Sequence, residues 1–423
     1  MKSTGDTGKA IGPITGMLLV ATTMVGSGIF LLPATLAGIG SISILGWIIA
    51  AAGAMIIGLA LSELSGHSEG SVFEAIGTTL GLPVGQAASL LYFIAYPLVL
   101  AAIALAAAGN IAFFVPALAS PRMITLTACI SIVILSIFTQ LGAQLIGRFG
   151  SVTLIVGGLP VLLMATVGWA FFDPEVFAAG WNVSGRAAHY AVFEATLLCF
   201  FSFIGLEVAS VIKRHMRNPR RDVPIATVGG ILLSSMLYIS ATAAIAGIVP
   251  TEQLTASTAP FADASNVFLG AIAATLVAVA ATAKALGTLG SCHLAATETW
   301  LSFQRQLGVR GISFGTTNAT IAVLALLLAW GTSSPDLAAQ FGRLVGAIVV
   351  IILMVFALAS FALARVAAGW RRLNGVLSMG FALGVIGVQP VSTILSIALM
   401  SILVVLFFVV LRRYRNALQR DLS

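Results

Sequence analysis

Long apolar stretches separated by short polar segments make up most of this 423-residue chain. A membrane-spanning helix needs about 20 apolar residues, and stretches of this length recur along the whole sequence. They predict twelve spans, at residues 11–37, 43–63, 83–117, 123–141, 149–172, 187–212, 224–249, 264–302, 317–331, 338–366, 374–388 and 390–412. The pattern indicates an all-α membrane protein in which residues 1–423 form a single domain.

The composition agrees with this interpretation and excludes most soluble classes. Hydrophobic residues make up 59% of the chain and charged residues only 8%, whereas soluble proteins carry about 25% charged residues. The net charge of +7 would suit a nucleic-acid partner, but most basic residues fall on one side of the predicted membrane. The positive-inside rule then places both termini in the cytoplasm. We expect the lipid bilayer, and no nucleic acid, as partner.

A Gly-Ser-Gly sequence at Gly26, Ser27 and Gly28 interrupts the first span, and Pro33 follows it. Each glycine costs about 1 kcal/mol in a helix interior, so the pattern predicts a broken helix. A break frees backbone N–H groups at the positive end of a helix, which suits a substrate carboxylate. Close packing of helices through small residues is the alternative.

The sixth span contains a second break, with Gly205 in mid-span and Glu207 two residues later. Two interrupted spans five apart are typical of an inverted repeat with a substrate site at the midplane. The predicted repeats cover 11–172 and 187–366, and two peripheral helices cover 374–412. A carboxylate at this depth is functional by default, although a protonated residue bonded to nearby backbone is the alternative.

Several segments around these breaks resemble the amino acid–polyamine–organocation (APC) superfamily. They are Met24–Pro33, Ser202–Glu207 and Asn218–Ala226. Ala179–Gly185 and Ala259–Ala264 are similar to the basic amino acid/polyamine antiporters of the arginine/agmatine type. The resemblance covers residues 11–300 and implies a LeuT-type fold with ten core spans in two inverted repeats. It also implies alternating access and a small-molecule amino acid as substrate.

The resemblance implies roles for the residues at both breaks. Gly26–Gly28 would hold the substrate carboxylate, and carbonyl groups around Phe203–Gly205 would hold its amino group. Glu207 matches a glutamate linked to proton sensing, and Phe201 matches an aromatic residue that closes over the substrate. The predicted substrate-binding residues are Thr23, Gly26, Ser27, Gly28, Tyr92, Tyr96, Phe201, Phe203, Ile204, Gly205 and Cys292.

Two positions depart from the arginine/agmatine antiporters in a way that changes the expected substrate. Leu100 stands in place of an asparagine of the third span, and Cys292 in place of a tryptophan of the eighth. Helical spacing puts Tyr92, Tyr96 and Leu100 on one face, which makes the far end of the pocket apolar. We therefore expect a neutral, apolar amino acid, with a basic amino acid or polyamine as the alternative.

Lys284 lies in the middle of the eighth span, too deep to extend easily to either interface. We hypothesise that its ammonium group replaces the cation that sodium-coupled members bind between their first and eighth helices. It would then contact carbonyl groups near Thr22–Val25, and loss of its proton would loosen the first helix. A fixed structural cation, or a partner for Glu207, is the alternative.

Other functional classes lack their characteristic motifs. The chain contains no HExxH, GxSxG or GxxxxGK[ST] sequence, and its three cysteines show no metal-ligand spacing. We therefore predict no catalytic residues, metal or cofactor, and a secondary transporter that works by exchange or proton coupling. A transport-inactive receptor on the same fold is a further alternative, and a homodimer is left open.

Overall fold

A computed structural model describes residues 11–26, 28–67, 71–211, 213–306 and 313–389. These residues form helices joined by short loops, without a β-strand among them. The α-helices in chain order are α1 (Pro13–Met24), α2 (Gly28–Ala37), α3 (Ser43–Ser65), α4 (Val72–Leu80), α5 (Leu82–Phe114), α6 (Pro121–Gln140), α7 (Ala143–Thr166), α8 (Pro174–Ala179), α9 (Ala188–Phe200), α10 (Val208–Val211), α11 (Pro219–Ile248), α12 (Thr251–Ala256), α13 (Pro260–Gln306), α14 (Phe314–Gly331), α15 (Leu337–Val366) and α16 (Gly369–Gly387). Ser27 and the predicted span 390–412 lie outside the described residues.

Nine helical segments of the described part are long and apolar enough to cross a membrane, and α1 with α2 adds a tenth if the pair is one span. The chain is therefore an all-α, multi-pass membrane protein. The helix α16, at the predicted eleventh span, is not among the nine, and its first turn carries Arg371 and Arg372. The total of twelve spans and the inverted repeat stay predictions.

Both predicted helix interruptions are present. The helix α1 ends at Met24, α2 begins at Gly28, and the two axes meet at 54°. In the sixth span, α9 ends at Phe200, and a 3-10 turn over Phe201–Phe203 separates it from α10. Glycine and the absence of a continuous hydrogen-bond ladder at these points explain why each span divides into two short helices.

The eighth span differs from its prediction because α13 begins at Pro260 and is kinked at Gly270. The backbone of Gly270 has φ 78°, a left-handed conformation that only glycine adopts readily. The preceding segment, from Pro260 to the kink, is therefore a separate helical arm, and the span itself starts after Gly270.

Packing of the long helices places both breaks in the interior. The helix α13 packs against α5 and α7, and α1 packs against α11. Small residues permit the last of these contacts: a Cβ atom added to Gly230 of α11 would lie 2.6 Å from the Cβ atom of Val20. Large apolar side chains such as Ile155 and Ile272 point outward, as expected for a surface that faces lipid.

Candidate functional site

The first break is formed by the residues between α1 and α2. The amide of Gly26 donates to the carbonyl oxygen of Met24 at 2.5 Å, a tight turn that leads the chain out of the helix. The N–H groups in the first turn of α2 have no acceptor within their own helix. Gly26, Gly28 and Ile29 line a cavity, so this end of α2 borders open space.

The second break depends on Gly205. Its φ of +106° is disfavoured for any residue with a side chain. The same glycine lies close to α1, because an added Cβ atom would be 3.2 Å from Cγ2 of Thr23. The two breaks therefore approach each other directly.

Phe201 and Gly28 form a second contact between the breaks. A Cβ atom added to Gly28 would overlap the ring of Phe201. That ring also packs edge-to-face on Phe341 of α15, with centroids 5.9 Å apart. The ring of Phe201 thus lies against the first break, and only glycine at position 28 leaves room for it.

The two breaks open onto a cavity of about 520 Å³. Most of the predicted site residues line it: Thr23, Gly26, Gly28, Tyr92, Tyr96, Phe201, Ile204, Gly205, Glu207, Lys284 and Cys292. Phe203 does not, because its ring is buried against Trp47 and Tyr238, with centroid distances of 6.1 and 5.9 Å. Ser27, which was also predicted to bind the substrate, lies outside the described residues.

The face that α5 presents to the cavity differs from the predicted one. Tyr92, Tyr96, Val99 and Ile103 line the cavity, following the i, i+4, i+7, i+11 spacing of a helix face. Leu100 does not line it and is fully buried among other side chains. Val99 and Ile103, instead of Leu100, are the aliphatic side chains that α5 contributes to the lining.

Glu207 is held by the third span. The hydroxyl group of Tyr92 donates a hydrogen bond to Oε1 of Glu207. The second carboxyl oxygen, Oε2, is buried and has no hydrogen-bond partner within the described part of the chain. A buried acceptor without a partner is costly, so this oxygen lacks the hydrogen bond that would offset its burial.

Lys284 lines the same cavity but does not make the contacts expected of it. The side chain is only 6% exposed. Across the described residues it forms no hydrogen bond to the carbonyl groups of Thr22–Val25 and no ion pair with Glu207. Its stem lies against Gly157 of α7, and this contact holds the lysine on the α7 side of the cavity.

A sequence comparison decides the family. Residues 11–419 match the sequence profile of the family described as amino acid permease. The chain belongs to the amino acid permease family. This permease is 35% identical over 310 residues to the cadaverine/lysine antiporter of Escherichia coli (strain K12), covering 73% of this chain and 68% of the relative.

The permease is also similar to the putrescine transporter PotE of Escherichia coli (strain K12) and of Haemophilus influenzae. Each is 32% identical to it, over 59% of this chain and 58% of the relative. The implied membership of the APC superfamily is thereby confirmed, and the permease is a membrane transporter rather than an enzyme.

Four hydroxyl-bearing residues of the permease cavity, Thr22, Ser202, Thr288 and Ser291, were not among the predicted substrate-binding residues. Thr288 and Ser291 follow Lys284 by one and two helical turns and line the cavity beside it, and Thr22 lines it from α1. Thr288 and Ser291 could have been identified from the sequence, because their spacing from Lys284 puts them on the same helix face. No sequence pattern pointed to Gly150 and Leu154, which reach the cavity from α7.

Proposed function

We propose that this permease is a secondary antiporter that exchanges amino acids and related amines across the cytoplasmic membrane by alternating access. Its relatives include a cadaverine/lysine antiporter and putrescine transporters. These relatives make a basic amino acid or a polyamine the first candidate substrate. The neutral amino acid that was expected from Leu100 and Cys292 becomes the second candidate.

One observation carries the proposal: two interrupted spans meet at the same cavity, and among its described lining residues Glu207 is the one carboxylate. An ammonium group needs an acceptor, and a charge-assisted hydrogen bond to a carboxylate is among the strongest available. The carboxyl group of Glu207, a residue that lines the cavity, supplies such an acceptor. We assign the amino group of the substrate to this carboxyl group and to the carbonyl groups of Ile204 and Gly205, which line the cavity, whereas Phe203 of the expected set does not.

The substrate carboxylate is assigned to the first break, Gly26–Gly28, where the N–H groups of α2 begin. Phe201 covers the substrate, while Thr23, Tyr92, Tyr96 and Cys292 form the walls. Glu207 and Lys284 are the proposed proton-coupling groups, because they are the carboxylate and the ammonium group among the described residues that line the cavity. The structure supports these roles through placement in the cavity.

The second candidate substrate, a neutral apolar amino acid, is favoured by the walls of the cavity. Val99, Ile103 and Ile352 supply apolar side chains, and these match an aliphatic substrate side chain better than a cationic one. Lys284 adds a positive charge beside them, which disfavours a second cation in the same space.

The orientation of the permease follows the distribution of basic residues. Arg217, Arg220 and Arg221 lie in the polar segment between the sixth and seventh spans. We propose that this segment and both termini face the cytoplasm. Modification of single cysteines introduced at Arg220 and at Arg186, by a membrane-impermeant reagent on intact cells, tests the orientation. Labelling at position 220 but not at position 186 would contradict it.

Transport itself is tested with the purified full-length permease in proteoliposomes. Vesicles loaded with unlabelled lysine, cadaverine or leucine are placed in the same compound carrying a radiolabel, with and without an imposed pH gradient. Counterflow that does not require the gradient supports exchange, and uptake only with the gradient supports proton coupling. Binding without flux would indicate a transport-inactive receptor, and the absence of both for every compound would contradict the proposal.

A further inference from the structure

The cavity contains two formal charges of opposite sign. Among the described residues that line it, Glu207 is the acidic one and Lys284 the basic one. No ion pair between them is present in that part of the chain, and Glu207 is hydrogen-bonded to Tyr92 instead. Each charge can therefore meet a different group of a bound substrate.

The position of Lys284 is fixed by a neighbouring glycine. A Cβ atom added to Gly157 of α7 would overlap Cβ and Cγ of Lys284, so a larger residue at position 157 would displace the lysine. Lys284 lines the cavity and Gly157 does not. The stem of the lysine is thus clamped between two helices, and the side chain borders the cavity.

The first break lies next to the same face of α13. Thr288 follows Lys284 by one helical turn, and its Cγ2 atom would be 3.9 Å from a Cβ atom added to Gly26. Both Thr288 and Gly26 line the cavity. Lys284 therefore lies on the face of α13 that passes the first break, one helical turn from the residue next to Gly26, whereas Glu207 belongs to the second break.

A buried ammonium group is expensive unless an anion compensates it. The described lining of the cavity contains no carboxylate besides Glu207, which accepts a hydrogen bond from Tyr92, and a substrate with a carboxylate group brings a second anion into the cavity. A zwitterionic amino acid supplies it and meets both charges with the correct sign. A diamine supplies none, and when one of its ammonium groups is bound to Glu207 the other is repelled by Lys284.

We propose that Lys284 is a specificity-determining residue, which pairs with the carboxylate of the substrate and excludes diamines from the cavity. This inference rests on the transport function proposed above. It narrows the substrate class to amino acids with a free carboxylate, and it separates this permease from relatives named for diamines.

Competition in proteoliposomes tests the inference. Counterflow of a radiolabelled amino acid that the wild type exchanges, leucine or lysine, is measured against increasing external cadaverine. We expect weak inhibition of the wild type. Lys284→Met keeps the length of the stem and removes the charge. In this variant we expect half-maximal inhibition at a cadaverine concentration at least about tenfold lower than in the wild type. The same variant should have a higher KM for the amino acid.

Two control variants distinguish the effect of the positive charge of Lys284 from a general loss of function. Lys284→Arg retains the positive charge and should still resist cadaverine. Arg343→Met removes a cation outside the cavity, where the exposed guanidinium group donates to the carbonyl oxygen of Thr332 at 3.1 Å. It should leave the ratio of cadaverine to amino acid affinity unchanged.

The outcomes distinguish this inference from the proposed function. If the wild type exchanges cadaverine as readily as an amino acid, or if Lys284→Met leaves that ratio unchanged, the inference is overturned while antiport stands. The wild-type measurement alone decides the point if the variant does not fold. If the wild type exchanges no compound at all, the proposed transport function fails.

Discussion

The hydroxyl group of Tyr92 donates a hydrogen bond to Oε1 of Glu207 and thereby connects α5 to the broken sixth span. The ring of Tyr92 packs against Tyr96 and Phe73, with centroid distances of 5.9 and 5.2 Å. These contacts fix one oxygen of the carboxylate, while the other, Oε2, is buried without a hydrogen-bond partner in the described part of the chain. The position of Glu207 is thus determined by residues that are remote from it in sequence.

Replacement of Tyr92 by phenylalanine should impair exchange while preserving the fold. The change keeps the ring contacts but leaves a second oxygen of Glu207 without a partner, at a cost of about 1–3 kcal/mol. We expect the initial rate of counterflow to fall about tenfold. Tyr190→Phe, at an exposed position in α9, is the matched control. Equal rates for the two variants at equal reconstitution would show that the hydrogen bond is unimportant.

Glu207→Gln should damage transport far more than Glu194→Gln. The first variant keeps the shape of a cavity-lining side chain but removes its charge, and we expect about a tenfold loss of rate or more. The second removes a half-buried carboxylate that is paired with the exposed Arg186, so its effect should stay within about twofold. Initial rates across a pH series provide a second readout, because only Glu207→Gln should flatten the pH dependence.

Much of the fold could be predicted from the sequence because a bilayer demands long, continuous apolar stretches. The helices α5 and α15 begin and end within a few residues of their predicted spans. Both broken spans were also predictable, since each carries glycine near its middle, where the residue weakens a helix. The kink at Gly270 was not, because nothing local distinguishes that glycine from one in an uninterrupted helix.

The residues that reach the cavity were harder to predict, since they depend on packing between distant segments. Phe201 and Phe203 belong to one 3-10 turn, yet one ring borders the cavity and the other is buried beside Trp47. Leu100 was expected to line the cavity, but its neighbour Val99 does so instead. The partner of Lys284 is Gly157, which lies on another helix, and no local pattern indicates it.

Gly28→Ala should abolish exchange because it displaces the ring of Phe201, which we propose covers the substrate. The added methyl group overlaps the ring of Phe201, and overpacking of this kind costs about 1–3 kcal/mol. A second change that makes room, Phe201→Leu, should be less harmful in the Gly28→Ala background than in the wild type, so that the two effects are not additive. Counterflow rates of the two single variants and the double variant measure this coupling.

The control for this pair is Gly38→Ala, just after the end of α2. A Cβ atom there would lie 3.6 Å from the carbonyl oxygen of Thr35, an ordinary contact. Its rate should match that of the wild type. Strictly additive losses in the double variant would argue against direct contact between Gly28 and Phe201.

Gly205→Ala should weaken the second break through its backbone. A φ of +106° is strained for alanine, and left-handed conformations of this kind cost about 1–2 kcal/mol. The added methyl group would also crowd the side chain of Thr23, so that α1 would be strained as well. We expect a lower unfolding temperature in detergent and a loss of counterflow.

The control is Gly331→Ala, at a helix end where the glycine has no positive φ and no atom lies within 4 Å of the added carbon. It should keep the unfolding temperature and the counterflow rate of the wild type. A Gly205→Ala variant with wild-type stability and exchange would show that the sixth-span break does not depend on glycine.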